Sequence, residues 1–232
     1  MLEAMQQRDG APSGKELGMP HYVPVMLNLE GQKCMVIGGG KVAERKAALL
    51  IEAGAQTIII SPAITAYLQK QRDEHKIHWV KRKYLPGDLG GAFLAFAATD
   101  QQTVNSAVVA EGAMLGIPVN DVSEGSQGSF ITPAVIRRGG LVVAVSTSGA
   151  GPRAALALCR ELDDYIGDDY ERYIEVLSSA RSWIKMNISE PGSRKRLFQK
   201  LAEADILTSI RAGTFHPQSG EDIVAWIEKQ EE

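Results

Sequence analysis

The chain has 232 residues, of which 44% are hydrophobic and 23% are charged, and its net charge is −3 at pH 7. Such a composition predicts a globular protein with a buried core, in one large domain or two small ones. The near balance of acidic and basic residues argues against a binding surface for nucleic acid. No apolar run approaches the roughly 18 residues of a membrane helix, so no membrane partner is expected.

The first 20 residues are polar and glycine-rich and lack the apolar stretch of a signal peptide, which predicts a flexible extension over residues 1–20. The chain has two cysteines, Cys34 and Cys159. Two cysteines do not make a disulfide framework and fit a reducing compartment, so a cytoplasmic location is expected. No cysteine or histidine spacing is typical of a metal cage, and no metal site is predicted.

A glycine-rich turn is the most informative feature of the sequence. The apolar run Cys34–Ile37 ends at the glycines of residues 38–40, and a helical pattern of apolar residues follows. Gly38, Gly40 and Ala43 fit the dinucleotide-binding pattern G-x-G-x-x-[GA]. The first glycine permits the turn, the second leaves room for a pyrophosphate, and the small third residue lets the helix approach the strand. The amides at the start of that helix would attract the anion.

The next segments place this pattern inside a β-α-β unit. Gly54 is a typical end for the helix, and residues 57–61 follow as an apolar run typical of a buried parallel strand. Ser61 stands where many such proteins have an acidic residue for the adenosine ribose, so the residues alone leave NAD and NADP open. The predicted cofactor contacts are Gly38, Gly39, Gly40, Lys41, Val42, Ser61, Ala63, Ile64, Thr99 and Asn120.

Alternating helices and strands continue to residue 120 and predict a parallel sheet with right-handed crossovers. The expected helices cover residues 64–74 and 103–115, and the expected strands cover residues 78–81, 93–98 and 117–120. Because ligands bind at the carboxyl ends of parallel strands, polar residues at those ends are expected to share one edge of the sheet.

The pattern changes after residue 120. One or two strands are expected before residue 145, followed by helices over residues 153–165, 170–186, 194–203 and 221–229. The predicted fold class is α/β, with a Rossmann-type parallel sheet, then a small α+β segment and a helical C-terminal region. The predicted domains are residues 21–133, which bind NAD, residues 134–168, and the helical residues 169–232.

Several short segments, taken together and in this order, resemble the precorrin-2 dehydrogenase family. They are Tyr22–Leu27, Val36–Lys46, Ala97–Asp100 with Val104-Asn105, Val119-Asn120, Phe130–Ala134 and Val143–Pro152. The resemblance implies oxidation of precorrin-2 to sirohydrochlorin with NAD⁺ as the hydride acceptor. It also implies a homodimer formed through residues 134–168, and an active site between that dimerisation and substrate segment and the NAD-binding domain.

One departure from the family concerns the catalytic residues. Much of the family has an aspartate three residues after the strand-end asparagine, and this chain has Ser123 there. The resemblance therefore favours a dehydrogenase without the ferrochelatase activity of bifunctional members. Asp121 is the predicted proton acceptor, although a strand-end turn or a helix cap is the more common role of such an aspartate. The catalytic candidates are Asp121, Ser123 and Ser146.

The substrate is a tetrapyrrole with carboxylate arms, which need cationic or amide donors. Residues 146–148 precede a helix N-terminus and are predicted to bind such an anion, or only to cap the helix. The predicted substrate contacts are Thr147, Ser148, Arg137, Arg138 and Arg153. The open alternatives are another NAD(P)-dependent oxidoreductase, a regulatory nucleotide-binding module, which Ser61 and the helical tail disfavour, and a structural dimerisation module.

Overall fold

The computed structural model describes residues 21–123, 127–148 and 151–229, in two compact units. The first unit ends at Thr132 and the second begins at Pro133.

The first unit is built on a five-stranded parallel sheet with the strand order β3-β2-β1-β4-β5. The chain leaves β1 toward β2 on one side and returns to β4 on the other, so the sheet has a switch point beside β1. The predicted Rossmann-type sheet is confirmed. Its strands are β1 (Lys33–Ile37), β2 (Gln56–Ile60), β3 (Ile77–Val80), β4 (Leu94–Ala97) and β5 (Val119–Asp121), and its helices are α1 (Lys41–Glu52), α2 (Ala66–Asp73) and α3 (Gln102–Leu115).

The central strand β1 explains why both faces of the sheet are covered. Cys34 and Val36 pack with buried residues of α1 and α2, while Met35 and Ile37 pack with Val108 of α3. Side chains alternate between the faces of a strand, so an unbroken apolar run requires a partner on each face. The strand that leads into the glycine turn is therefore held between two packed layers.

The second unit combines a two-stranded antiparallel sheet with five helices among its described residues. Its elements are β6 (Ala134–Arg138), β7 (Leu141–Val145), α4 (Pro152–Tyr165), α5 (Asp169–Asn187), α6 (Pro191–Glu203), α7 (Ile206–Arg211) and α8 (Gly220–Glu228). The hairpin packs on α4 and α5, and α5 packs on α6, α7 and α8. This agrees with the predicted α+β segment and helical region. None of the described helices is both long and apolar enough to cross a bilayer.

Two helix boundaries depend on caps rather than on periodicity. The Oγ1 atom of Thr65 accepts a hydrogen bond from the amide of Leu68 at 3.3 Å, so α2 begins two residues later than predicted. The six-residue α7 was not predicted at all, because it is too short for an apolar repeat. The Asp205 carboxylate caps it by accepting from the amide of Thr208 at 3.3 Å.

Both cysteines are buried and form no disulfide. Burial raises the pKa of the Cys34 thiol to about 11, although a hydrogen bond to the main chain of Leu94 lowers it in part. The thiolate is the reactive form, so Cys34 is a core residue rather than a nucleophile.

Lys46 on α1 is a half-buried cation whose titration should affect stability. Its Nζ atom donates to the Thr132 hydroxyl and lies 5.3 Å from the centre of the Phe96 ring. Burial, with a smaller contribution from the charge of Arg45, lowers the Lys46 pKa from 10.5 to about 8. Between these values the unfolded chain binds more protons than the folded chain, so the free energy of unfolding should rise with pH.

We expect Lys46→Met to remove a rise on the order of 1–2 kcal/mol between pH 8 and pH 10. Urea unfolding of the native chain and the variant at several pH values measures it. The difference between the two chains isolates Lys46 from other groups that titrate in this range. Parallel pH profiles would show that Lys46 keeps its ordinary pKa.

Candidate functional site

A pocket of about 640 Å³ lies at the carboxyl ends of β1, β2, β3 and β4. Neighbouring strands are about 4.8 Å apart, so four strand ends span roughly 14 Å and suit an elongated ligand. The lining residues are Ile37–Gly40, Ile60–Thr65, Lys83, Tyr84, Ala98–Gln101 and Val104.

Two glycines of the turn after β1 are required by the fold itself. Gly38 has a φ of 131°, and a Cβ atom there would overlap the carbonyl oxygen of Ala98. A Cβ atom on Gly39 would overlap the carbonyl oxygen of Ala63. Side chains at these positions would therefore push the loops after β2 and β4 away from β1.

Gly40 has a different role, since nothing in the described protein requires glycine there. Its φ of −83° suits any residue, and a Cβ atom would meet no protein atom within 4 Å. It lines the pocket, so an added side chain would project into open space that a ligand could fill. No side chain among the described residues caps the start of α1. Bare backbone and uncapped helix amides fit the diphosphate of a dinucleotide.

The loop after β2 is fixed against the glycine turn. The Ser61 hydroxyl donates to the carbonyl of Ala63 at 2.7 Å, and the indole of Trp79 donates to the carbonyl of Ser61 at 2.9 Å. The amide of Thr65 donates to the carbonyl of Gly39 at 3.1 Å. These hydrogen bonds hold the wall of the pocket in place before any ligand binds.

A buried carboxylate fixes the loop after β3. Glu111 on α3 is 5% exposed and accepts from the Tyr84 hydroxyl, from the amide of Gly87 at 3.0 Å and from the amide of Leu89 at 2.8 Å. The phenol is held in this way while Tyr84 also lines the pocket. Burial and the neighbouring carboxylate both raise the Tyr84 pKa, so the phenol stays protonated as a donor.

We expect Glu111→Gln to lower the free energy of unfolding by about 2–4 kcal/mol, because the new amide group would face the amides that the carboxylate accepts from. Tyr84→Phe should lose only about 1 kcal/mol, since the two amides keep their acceptor. Chemical denaturation of both variants measures the difference. Equal effects of the two substitutions would mean that the carboxylate does not hold the loop.

A second polar network joins the ends of β4 and β5. Asn105 is fully buried and accepts from the hydroxyl of Thr99 at 2.7 Å and from its amide at 3.1 Å. The Asn105 amide group donates to the carbonyl of Thr99 at 3.1 Å and to the hydroxyl of Ser123 at 3.2 Å. Ser123 is thus linked to a pocket residue through one buried side chain.

Asp121 lies in this network rather than in the pocket. It is 1% exposed, and its Oδ1 atom accepts from the amide of Ser123 at 2.9 Å and from the Ser123 hydroxyl at 2.6 Å. These two hydrogen bonds form a strand-end turn, which is the alternative to the role of proton acceptor for Asp121. The catalytic roles of Asp121 and Ser123 remain predictions.

Asn120 supports the segment that follows β5. Its amide group donates to the carbonyl of Phe130 at 2.8 Å, while its Oδ1 atom is buried without a hydrogen-bond partner in the described protein. Buried acceptors are usually satisfied, so this oxygen has capacity for a donor from a ligand.

The predicted substrate residues lie in the second unit. Arg138 forms a 2.6 Å ion pair with Asp163, whereas Arg137 and Arg153 are exposed. The Thr147 hydroxyl donates to the carbonyl of Gly151 at 3.2 Å. The amide of Ser148, a residue with a φ of 50°, donates to the hydroxyl of Ser146 at 3.2 Å. These residues border the start of α4, which Pro152 opens as predicted, and their substrate contacts remain predictions.

The pocket brings together seven of the ten residues that the sequence suggested as cofactor contacts. Lys41, Val42 and Asn120 do not line it. Sequence reasoning overlooked Lys83 and Tyr84, although they follow β3 and so belong to the same sheet edge. The seven that line the pocket are Gly38, Gly39, Gly40, Ser61, Ala63, Ile64 and Thr99.

Comparison with known proteins agrees with this geometry. A family model described as NAD(P)-binding matches residues 25–134. The siroheme synthase of Chromobacterium violaceum is 33% identical over 192 residues, which cover 83% of this chain and 41% of that protein. The siroheme synthase of Nitrosococcus oceani is 34% identical over 192 residues, with the same coverage of 83% and 41%. This chain thus spans about two fifths of the length of these relatives.

Among solved structures, SirC, precorrin-2 dehydrogenase, matches with a TM-score of 0.73 and 25% identity. The match covers 90% of this chain and 100% of that one, so it includes elements of both units. The sequence comparison finds siroheme synthases, and the structure comparison finds a precorrin-2 dehydrogenase. In sequence and in fold, the chain is therefore similar to proteins of the precorrin-2 dehydrogenase family.

Proposed function

We propose that the chain oxidises precorrin-2 to sirohydrochlorin in an NAD-dependent reaction. The observation that carries the proposal is the pocket at Gly40, where the protein leaves space beside bare backbone that only a ligand would use. The likeness to SirC over the whole of that chain supports the substrate. When bound, NAD⁺ supplies the hydride acceptor, so the main task of the protein is to position the two reactants.

Each side of the pocket binds a different part of the dinucleotide. The amides at the start of α1 and the backbone of Gly38 and Gly40 hold the diphosphate. Ser61 and Ala63, after β2, face the adenosine. Thr99 stands after β4, on the other side of β1, and faces the nicotinamide. Asn105 holds both its hydroxyl and its amide, so the group left for the ligand is the Thr99 carbonyl oxygen, which accepts one hydrogen bond from Asn105 and can accept a second.

Binding of the substrate depends on the attraction between arginine side chains and its carboxylate arms. Arg137 and Arg153, with Thr147 and Ser148, bind carboxylate arms of the macrocycle. At Arg138 a substrate carboxylate would compete with the ion pair to Asp163. Asp121 accepts the proton that leaves the macrocycle, after its hydrogen bonds to Ser123 rearrange.

We further propose a homodimer formed through residues 134–168, and a cytoplasmic location, which the two buried unpaired cysteines support. Metal insertion is not part of the proposal. At the position of the family aspartate, the neutral hydroxyl of Ser123 is engaged with Asp121 and cannot take up a proton as a carboxylate does.

The test is to incubate the chain with precorrin-2 and NAD⁺ without oxygen and to follow the absorbance of sirohydrochlorin. Product should form only when NAD⁺ is present, and product formed at the same rate without NAD⁺ would refute the proposal. Asp121→Asn should reduce turnover while binding of NADH stays unchanged. Full turnover by that variant would remove Asp121 from the mechanism. Iron insertion into sirohydrochlorin faster than the spontaneous rate would overturn the exclusion of metal insertion.

A further inference from the structure

The pocket has an unused cation beside the end that would hold the adenosine. Among the described residues that line it, Lys83 is the only cation and Asp100 the only carboxylate. The two residues stand at different ends of the pocket, because Lys83 follows β3 and Asp100 follows β4 in the order β3-β2-β1-β4. The pocket is therefore polarised along its length.

The positive end lies where the adenosine ribose would bind. In this fold the ribose lies at the end of β2, where an acidic residue binds its 2′-hydroxyl in NAD-specific proteins. Here that place is taken by Ser61, whose hydroxyl is directed to Ala63. The ends of β2 and β3 are joined, since the amide of Ser61 donates to the carbonyl of Val80 at 3.2 Å. No carboxylate of the described lining stands at this end to repel a phosphate.

Arg82 and Lys81, the cations that precede Lys83 in the sequence, already interact with other side chains. Arg82 is bound to Asp88 through two 2.7 Å hydrogen bonds and donates to the carbonyl of Lys83 at 3.0 Å. Lys81 lies 5.5 Å from the centre of the Trp79 ring. No ion pair involves Lys83 within the described part of the chain, and its side chain is exposed at the pocket.

The main chain that carries Lys83 is also fixed. The amide of Leu85 donates to Asp88 at 2.8 Å, and Glu111 accepts from the Tyr84 hydroxyl and from two amides of the same loop. The anchored backbone fixes where the Lys83 side chain begins, so only the rotamer freedom of that side chain is lost when its ammonium group binds an anion. These features leave one cation at the end of the pocket where the adenosine ribose would bind.

We propose that Lys83 binds the 2′-phosphate of NADP, so that this chain accepts NADP⁺ as well as NAD⁺. The inference rests on the proposed dinucleotide site and deepens it by adding a determinant of cofactor choice. A single exposed charge-assisted contact should change affinity by about tenfold at low salt and by less at high salt.

The test compares binding of NADH and NADPH, which differ only in that phosphate, by fluorescence titration of the whole chain. The native chain should bind NADPH at least as tightly as NADH. Lys83→Ala should weaken NADPH binding by about tenfold and NADH binding by less than twofold, and Lys83→Arg should retain NADPH binding. Lys81→Ala is the matched control, since it removes a lysine of the same segment outside the pocket, and it should change neither.

Several outcomes would overturn the inference. NADH binding without NADPH binding, or a Lys83→Ala variant that weakens both equally, would rule out the phosphate contact and leave the proposed function intact. Binding of neither nucleotide would refute the dinucleotide site, and with it both proposals.

Discussion

Gly38→Ala is expected to destabilise the first unit by about 3 kcal/mol or more. Two costs add at this position, because φ is 131° and because the new Cβ atom overlaps the carbonyl of Ala98. That carbonyl belongs to the backbone at the end of β4, so it cannot rotate away as a side chain would. The free energy of unfolding, measured by urea denaturation, reports the loss.

Gly40→Ala is the matched control for stability. The same methyl group, two residues along, meets no protein atom within 4 Å and needs no unusual φ. It should change the free energy of unfolding by no more than about 1 kcal/mol, because Gly40 is the N-cap of α1 and alanine is a poorer N-cap than glycine. A Gly38→Ala variant as stable as Gly40→Ala would show that the turn after β1 differs from the one described.

Gly40→Val should lower the affinity for NADH by on the order of 100-fold while the chain stays folded. The larger side chain would occupy the space in which the diphosphate approaches the backbone. Fluorescence titration with NADH measures the effect, and circular dichroism checks the fold. The control is Arg45→Ala, an exposed position of α1 outside the pocket, which should bind NADH as the native chain does.

Unchanged NADH affinity in Gly40→Val would contradict the placement of the diphosphate. A variant that both unfolds and loses affinity would contradict the structure around Gly40, where the added atoms are expected to meet only solvent. The contrast between Gly38 and Gly40 thus separates glycine required by the fold from glycine required by the ligand.

Local sequence patterns predicted the sheet because they report directly on burial. The run Cys34–Ile37 is apolar at every position, and the structure uses both of its faces. The glycine turn could also be predicted from the sequence. Gly38 and Ala43 correspond to close packing within the protein, whereas Gly40 corresponds to the space proposed for a ligand. Ala43 is fully buried against the sheet, as the pattern requires.

The β3 side of the pocket could not be predicted in the same way. The path of the loop at Tyr84 depends on Glu111, which is 27 residues away, and no local periodicity reports such a contact. The network of Asn105 with Ser123 likewise joins residues 18 positions apart. Sequence patterns also do not show the ion pair between Arg138 and Asp163. A substrate carboxylate would have to compete with that ion pair for Arg138.

The most direct test is a crystal structure of the chain grown with saturating NADH. The expected density places the diphosphate over the backbone of residues 38–40, at the start of α1, with the adenosine ribose beside Ser61. A pocket that stays empty, or a dinucleotide bound away from the ends of β1 and β2, would contradict the assignment of this site.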